Sequence, residues 1–121
     1  MSETILQEAQ RLVHGDRQAD YGHPLDDFGK TAKMWSAILG VEVTAEQVGL
    51  CMCCVKISRQ LNRPKRDNMT DLAGYAATVQ MCGEERTRRD AIADDFLARH
   101  AVDQHAEAPT ERASAVTQLG P

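Results

Sequence analysis

Apolar positions recur at helical spacing along most of the chain, and glycine, proline or capping residues separate the segments that carry them. Recurrence at i, i+3, i+4 and i+7 is typical of helices with one buried face. Proline at a first helical position, glycine after a last one and a Thr-x-x-Gln capping box give the boundaries. The pattern predicts a first helix that stops at Gly15, a second from Pro24 to Gly40, a third opened by Thr44 and Gln47 that stops before Pro64, and a fourth that Asp67 caps and Gly83 closes.

The second and third predicted helices carry the longest apolar stripes. In the second helix the stripe consists of Leu25, Phe28, Ala32, Trp35 and Leu39. In the third helix Leu50, Cys54, Ile57 and Leu61 form one line, with Val48, Cys51 and Val55 on a neighbouring line. So wide an apolar face is typical of a helix surrounded by others. We therefore expect the third helix to be central and its leucine line to lie in the core.

The pattern weakens after residue 83. The segment Glu84–His100 is strongly charged, and its apolar seam is limited to Ile92, Phe96 and Leu97, which predicts a helix at the surface or at a subunit contact. Residues 101–121 lose the periodicity and are expected to form a flexible tail. No segment alternates as a strand would. The fold prediction is an all-α, compact bundle of four to five helices, with a single helical domain over residues 1–100.

Composition narrows the function classes. The chain has 121 residues and a formal net charge of -4, which weighs against general binding of duplex DNA. No apolar run is long enough to span a bilayer and the N-terminus lacks the layout of a signal peptide, so we expect no membrane partner and a cytoplasmic location. Aromatic residues make up only 4% of the chain. A helical bundle with so few aromatic side chains in its core favours a homo-oligomer. The four cysteines predict buried thiols, with a metal site as the alternative.

The connection Gly15–Pro24 is the most polar part of the bundle and the first candidate for a ligand site. Arg17 and Tyr21 are candidate substrate-binding residues there, and Asp20 and His23 are candidate catalytic residues. Gly22 can adopt a backbone conformation that other residues avoid. His23 is suited to general acid or base chemistry because an imidazole titrates near neutral pH, but it could equally serve as a helix cap.

The third helix has a basic side opposite its leucine line. Lys56, Arg59 and Arg63 lie within a narrow arc, and Lys65 follows the helix. One interpretation is a phosphate clamp in which Lys56, Arg59 and Lys65 bind the substrate. The other interpretation is a solvated face that complements the helix dipole.

The fourth helix places two carboxylates one turn apart. Asp67 and Asp71 could hold one Mg²⁺ together with substrate phosphates, and Tyr75 continues the same line toward the substrate. Asp71 is also the third candidate catalytic residue. Two alternatives remain open. The aspartates could cap the helix and complement its dipole, or they could pair with Lys56 or Arg59 and simply hold two helices together.

Three segments together resemble a known family: DYGHP after the first helix, KISRQLNRPKRD across a helix end, and DLAGYAATV in the next helix. The combination, over about residues 1–83, is similar to small phage-encoded, nucleotide-modification-associated domains with a DYG motif. A more distant similarity links DNMTDLAGYAATV to the second metal-binding helix of the all-α nucleotide pyrophosphohydrolases of the MazG and dimeric dUTPase group. The chain departs from that group at Asn68, which replaces a glutamate, and in VGLCMCCVKISRQ, which has cations where two carboxylates are expected.

The resemblance implies a nucleotide or another phosphorylated small molecule as ligand, Mg²⁺ as cofactor and the host cytoplasm as location. If the protein is an enzyme, it implies phosphoryl or pyrophosphoryl chemistry, or a step in making a modified nucleotide. The alternatives are a non-catalytic protein that sequesters a nucleotide or binds a host protein, and a purely structural helical oligomer.

Overall fold

The computed structural model describes the backbone of residues 2–118 and the side chains of residues 2–101. Within this part of the chain every regular element is a helix, so the all-α prediction is confirmed. No helix there is long and apolar enough to cross a membrane. The described elements are α1 (Ile5–His14), α2 (Asp16–Tyr21), α3 (Pro24–Leu39), α4 (Ala45–Asn62) and α5 (Arg66–Gln118).

Local capping explains most helix ends. Thr44 and Gln47 form the predicted capping box, with the Gln47 amide 3.2 Å from the Thr44 hydroxyl oxygen and the Gln47 side chain 2.9 Å from the Thr44 amide. Pro24 occupies the first turn of α3, and Gly40 ends that helix with a left-handed φ of 71°. These boundaries follow from sequence-local geometry. An equivalent capping box at the start of α1, formed by Thr4 and Gln7, was not predicted.

The predicted helix end at Gly83 is wrong, because α5 continues through that residue. Gly83 does not adopt a positive φ, and the glutamates and arginines that follow favour helix, so the chain has no reason to stop there. The backbone divides into two compact units, Met1–Arg86 and Thr87–Pro121. In the second unit the described side chains, through residue 101, are exposed, as predicted for its charged segment. The predicted tail lies almost wholly outside the residues with described side chains and stays a prediction.

In the first unit, α4 packs antiparallel to the N-terminal part of α5. Lys56 contacts Asp71 near the connecting turn, and Arg86 contacts Glu46 at the opposite end. Arg66 at the start of α5 pairs with Glu8 of α1. Helix α3 returns antiparallel to α4, and the Ser36 hydroxyl oxygen accepts a hydrogen bond of 2.8 Å from the Val43 amide across their turn.

The core of the first unit consists of small side chains. The buried apolar residues are Ala9, Val13, Ala32, Ala45, Val48 and Cys82. The predicted leucine line of α4 is not among them: Leu50, Ile57 and Leu61 are 54%, 47% and 83% exposed. That part of the core prediction is wrong. Helix α4 turns its small residues inward, and Gly49 lies so close to Val79 that an added Cβ would stand 2.5 Å from a Val79 methyl carbon.

Candidate functional site

The polar connection between the first two predicted helices contains a short helix of its own. The sequence predicted a loop here, but residues Asp16–Tyr21 form helix α2. Gly15 separates α2 from α1, and Gly22 ends it with a φ of 76°, the conformation that the sequence suggested for this glycine. Because residues four apart share one side of a helix, α2 presents Arg17 and Tyr21 in the same direction.

An open cavity of about 260 Å³ lies where α2 meets α3 and α5. Arg17 and Tyr21 line it from α2, and Tyr75 lines it from α5, so the structure brings together three of the predicted substrate-binding residues. Tyr21 is 63% exposed and forms part of the rim. The full lining is Val13, Arg17, Gln18, Tyr21, Gly22, Pro24, Asp27, Phe28, Tyr75 and Thr78.

Tyr75 is the centre of this site. The guanidinium carbon of Arg17 lies 5.6 Å from the centroid of the Tyr75 ring, which is within the range of a cation–π contact. The Phe28 ring packs on the same tyrosine, with the two centroids 6.2 Å apart. These contacts hold an aromatic surface and a cation at the wall of one cavity.

A second, much smaller pocket of about 10 Å³ has Val13, Arg17 and Tyr75 in common with the cavity and extends to Asp71. Its volume admits about one water molecule. Asp71 therefore lies behind Tyr75 and does not line the larger cavity. We call the cavity and this small pocket together the cleft.

The Asp71 carboxylate forms an ion pair with Lys56. The Lys56 ammonium nitrogen lies 2.9 Å from an Asp71 carboxylate oxygen, and the two side chains are only 13% and 27% exposed. This is the predicted alternative in which a lysine and an aspartate hold α4 and α5 together. Lys56 is thus directed into the bundle, although its basic stripe was also considered as a solvated face.

Four other candidates line neither part of the cleft. Arg59 and Lys65 on the α4 side are exposed, as are Asp20 on α2 and Asp67 on α5. Asp67 was predicted to cap its helix, but α5 begins one residue earlier and Asp67 lies inside the first turn. The roles assigned to these four residues stay predictions, and the described contacts do not bring them together with Arg17.

His23 is engaged as a helix cap. Its Nδ1 atom accepts a hydrogen bond of 3.0 Å from the Leu25 amide, which is the contact expected of a residue just before the first turn of α3. An accepting Nδ1 carries no proton, so the neutral ring bears its hydrogen on Nε2. His23 does not line the cavity, although its neighbours Gly22 and Pro24 do.

Sequence reasoning missed five residues that line the larger cavity. Gln18, Asp27 and Thr78 were not singled out, and Val13 and Phe28 were assigned to apolar helix faces alone. The signal for Thr78 was its position one turn after Tyr75, on the same side of α5. Asp27 and Phe28 had no comparable signal, since only the packing of α3 beside α2 brings them to the cavity.

The cysteines form no metal centre in the described part of the chain, where no group of three or more histidine, cysteine or acidic side chains is placed to hold an ion. All four thiols are free. The prediction of buried thiols holds for Cys82, whose pKa burial raises to about 11. It is wrong for Cys51 and Cys54, which are exposed on α4. Cys53 is intermediate, and desolvation raises its pKa above the ordinary value.

The chain is similar to proteins of two mycobacteriophages. The chain is 41% identical over 99 residues to the Gene 55 protein of Mycobacterium phage D29, and 35% identical over 79 residues to the Gene 55 protein of Mycobacterium phage L5. These alignments cover 81% and 64% of this chain, but only 66% and 51% of the relatives, so the chain spans between half and two thirds of their length. No solved structure matches it.

A family model covers the helices that form the cleft. The model described as "Domain of unknown function (DUF6378)" matches residues 4–83, from the capping box of α1 to a position within α5. All residues that line the cleft fall inside this range. The chain therefore belongs to the DUF6378 family.

Proposed function

We propose that the cleft binds a phosphorylated small molecule of the nucleotide class. The observation that carries the proposal is the placement of Arg17 and Tyr75 on one wall of an open cavity of about 260 Å³, with Tyr21 at its rim. An aromatic ring can stack on any nucleobase, and an arginine can donate two parallel hydrogen bonds to a phosphate. A volume slightly below the range typical of small-molecule sites suits one nucleotide base with part of its sugar.

The proposal assigns the phosphate contact to Arg17. Among the described residues, Arg17 is the one cation that lines the cleft. Lys56 already neutralises Asp71, so its attraction for a phosphate is reduced. The clamp predicted from Lys56, Arg59 and Lys65 is accordingly replaced by a single arginine on α2.

The carboxylates do not by themselves fit a magnesium centre. Asp71 is paired with Lys56, Asp67 is exposed, and no group of three possible ligands occurs among the described residues. A magnesium ion at this site would depend on ligand phosphates for most of its coordination. The binding role proposed for Arg17 and Tyr75 requires no metal.

Binding is therefore better supported than pyrophosphate hydrolysis. The resemblance to the pyrophosphohydrolases implies carboxylates on two neighbouring helices, whereas α4 presents Lys56 to Asp71. We propose a nucleotide-binding role, with sequestration as its simplest form. Nucleotide modification is the second candidate, and a measured turnover would distinguish it.

The experiment is a thermal-shift and calorimetric screen of nucleoside mono-, di- and triphosphates with and without Mg²⁺, with products followed by chromatography. We expect at least one nucleotide to raise Tm without turnover. Arg17→Ala should weaken that binding about 10- to 100-fold, because a charge-assisted hydrogen bond contributes about 1.5–3 kcal/mol. Arg59→Ala is the matched control, an arginine outside the cleft, and should bind as the unmodified protein does.

Three outcomes would contradict parts of this proposal. No response to any nucleotide in the panel would exclude the nucleotide-binding role. Loss of binding in Arg59→Ala but not in Arg17→Ala would restore the clamp on α4. Mg²⁺-dependent release of phosphate or pyrophosphate would establish hydrolysis, and any turnover would exclude simple sequestration.

A further inference from the structure

Helix α4 presents an apolar stripe to the outside of the first unit. We call the outward stripe the four residues Leu50, Cys54, Ile57 and Leu61. Their side chains are exposed, with Leu61 reaching 83% and neither Leu50 nor Ile57 below 47%. Isolated exposed apolar residues are common, but a continuous row of them marks a surface that is covered by another molecule.

The outward stripe lies opposite the packed side of α4. At about 100° per residue, Val48, Gly49 and Lys56 fall on one side of the helix and Cys54 on the other. Val48 and Gly49 are buried and Lys56 contacts Asp71. The exposure of the stripe is therefore a consequence of how α4 is seated against α3 and α5, and a local change of rotamer would not bury it.

Between Leu50 and Leu61 the outward side of α4 carries no charge. Beside the stripe it presents Cys51 and Ser58, whereas Lys56 and Arg59 lie on the other side of the helix. Glu46 lies on the outward side one turn before Leu50 and pairs with Arg86. In a chain with 26% charged residues, an exposed helix face of three turns without any is unusual for a surface that stays in water. Two copies brought face to face along it would meet no like charge.

The spacing of the outward stripe also suits pairing with itself. The intervals of four, three and four residues are those of the apolar seam in paired helices. About a two-fold axis at its centre, an antiparallel pair would place Leu50 opposite Leu61 of the second copy, and the small Cys54 opposite the larger Ile57. Such a pairing matches large ends with large ends and a small side chain with a large one.

The first unit fully buries few large apolar side chains. Its largest fully buried side chains are Val48 and Cys82, and the larger apolar residues are at most partly covered. We propose that a second copy of this chain covers the outward stripe in a two-fold dimer, the commonest symmetry of homo-oligomers. The proposal concerns the side of α4 that faces away from Asp71 and does not depend on what the cleft binds.

The first experiment measures mass by sedimentation velocity over a concentration series of roughly 1 to 300 µM, a range that covers dimers of micromolar affinity. The full chain should shift from monomer to dimer. Ile57→Glu and Leu61→Glu should each raise the dissociation constant at least about tenfold, because each places two like charges in the seam. Leu6→Glu, which changes a leucine 73% exposed on α1, is the matched control and should dimerise normally.

A second experiment locates the contact with a native thiol. In a background with Cys51→Ser and Cys53→Ser, only Cys54 and the buried Cys82 remain. A short bis-maleimide should then join two chains through Cys54, and Leu61→Glu should abolish the product without changing the thiol. Circular dichroism confirms that each variant remains helical.

The proposal is overturned if the unmodified chain is monomeric across the series. It is equally overturned if both glutamate variants dimerise as Leu6→Glu does, because another surface would then form the contact. Dimerisation without a Cys54 cross-link would exclude the face-to-face pairing of α4.

Discussion

Lys56 shows how one side chain changes its role once its neighbours are known. On the sequence it belongs to a basic stripe with Arg59 and Arg63. In the fold it is nearly buried and pairs with Asp71 on α5. Partners in a pair of this kind must be considered together, since removing one of them leaves the other as an uncompensated charge. The candidate site consequently moves from the α4 cations to Arg17 and Tyr75.

His23 allows the two roles proposed for it to be separated. His23→Ala removes the acceptor of the Leu25 amide and should lower the free energy of unfolding by about 1 kcal/mol. His23→Asn keeps a capping acceptor while removing the imidazole, and should lie within a few tenths of a kcal/mol of the unmodified protein. Chemical denaturation measures both.

The same His23 variants test whether the imidazole takes part in catalysis. If a turnover is found and His23→Asn retains it, His23 acts as a cap alone. Equal destabilisation by alanine and asparagine would contradict the capping role.

At the scale of elements, the close approach of α4 to α5 depends on Gly49. A Cβ at this position would lie 2.5 Å from Val79 Cγ2 and 3.4 Å from Phe28 Cε2. Two neighbouring helices therefore meet α4 at a residue without a side chain. This contact fixes the side of α4 that faces inward, and with it the exposure of the outward stripe.

Gly49→Ala should be destabilising even though alanine is the better helix former. Overpacking costs about 1–3 kcal/mol, which exceeds the roughly 1 kcal/mol gained in helix propensity. Gly29→Ala on α3 is the matched control, because nothing lies within 4 Å of its added Cβ. That variant should gain up to about 1 kcal/mol. Urea unfolding of the two variants compares them, and a stabilised Gly49→Ala would show that α4 is not held this closely.

At the scale of the whole molecule, the fold should lose stability at acid pH because of the Glu46–Arg86 ion pair at the N-terminal end of α4. Arg86 donates hydrogen bonds to both carboxylate oxygens of Glu46, at 2.6 and 3.2 Å, and this holds the pKa of Glu46 below its ordinary value of 4.5. A carboxylate whose pKa is lower in the folded state stabilises that state above its unfolded pKa. The contribution is lost as the pH falls below about 4.5 and through the folded-state pKa.

We expect Tm to fall as the pH is lowered from about 5 to 3, and Glu46→Gln to lose less Tm over that interval than the unmodified protein. Glu42→Gln is the control, since Glu42 is exposed before α4 and makes no ion pair among the described contacts. Differential scanning calorimetry in matched salt checks the prediction. Parallel curves for Glu46→Gln and the unmodified chain would show that this pair does not contribute.

Much of the fold was predictable because its causes are local. The start of α4 at Thr44 and the stop of α3 at Gly40 depend on residues within one turn of each boundary. The same holds for the proline at the start of α3. The failure at Gly83 has the complementary reason: a glycine ends a helix only when the chain turns there, and α5 continues.

The sequence by itself determined the helical class, most helix boundaries and the set of residues from which a site could be built, since spacing and capping act within a few residues. Only the tertiary structure decided which of two apolar sides of α4 faces inward. The narrow side with Gly49 permits close packing, whereas the leucine side is too bulky for it. That choice directs Lys56 to Asp71, leaves Arg17 and Tyr75 to form the cleft, and exposes the surface on which we expect a second copy.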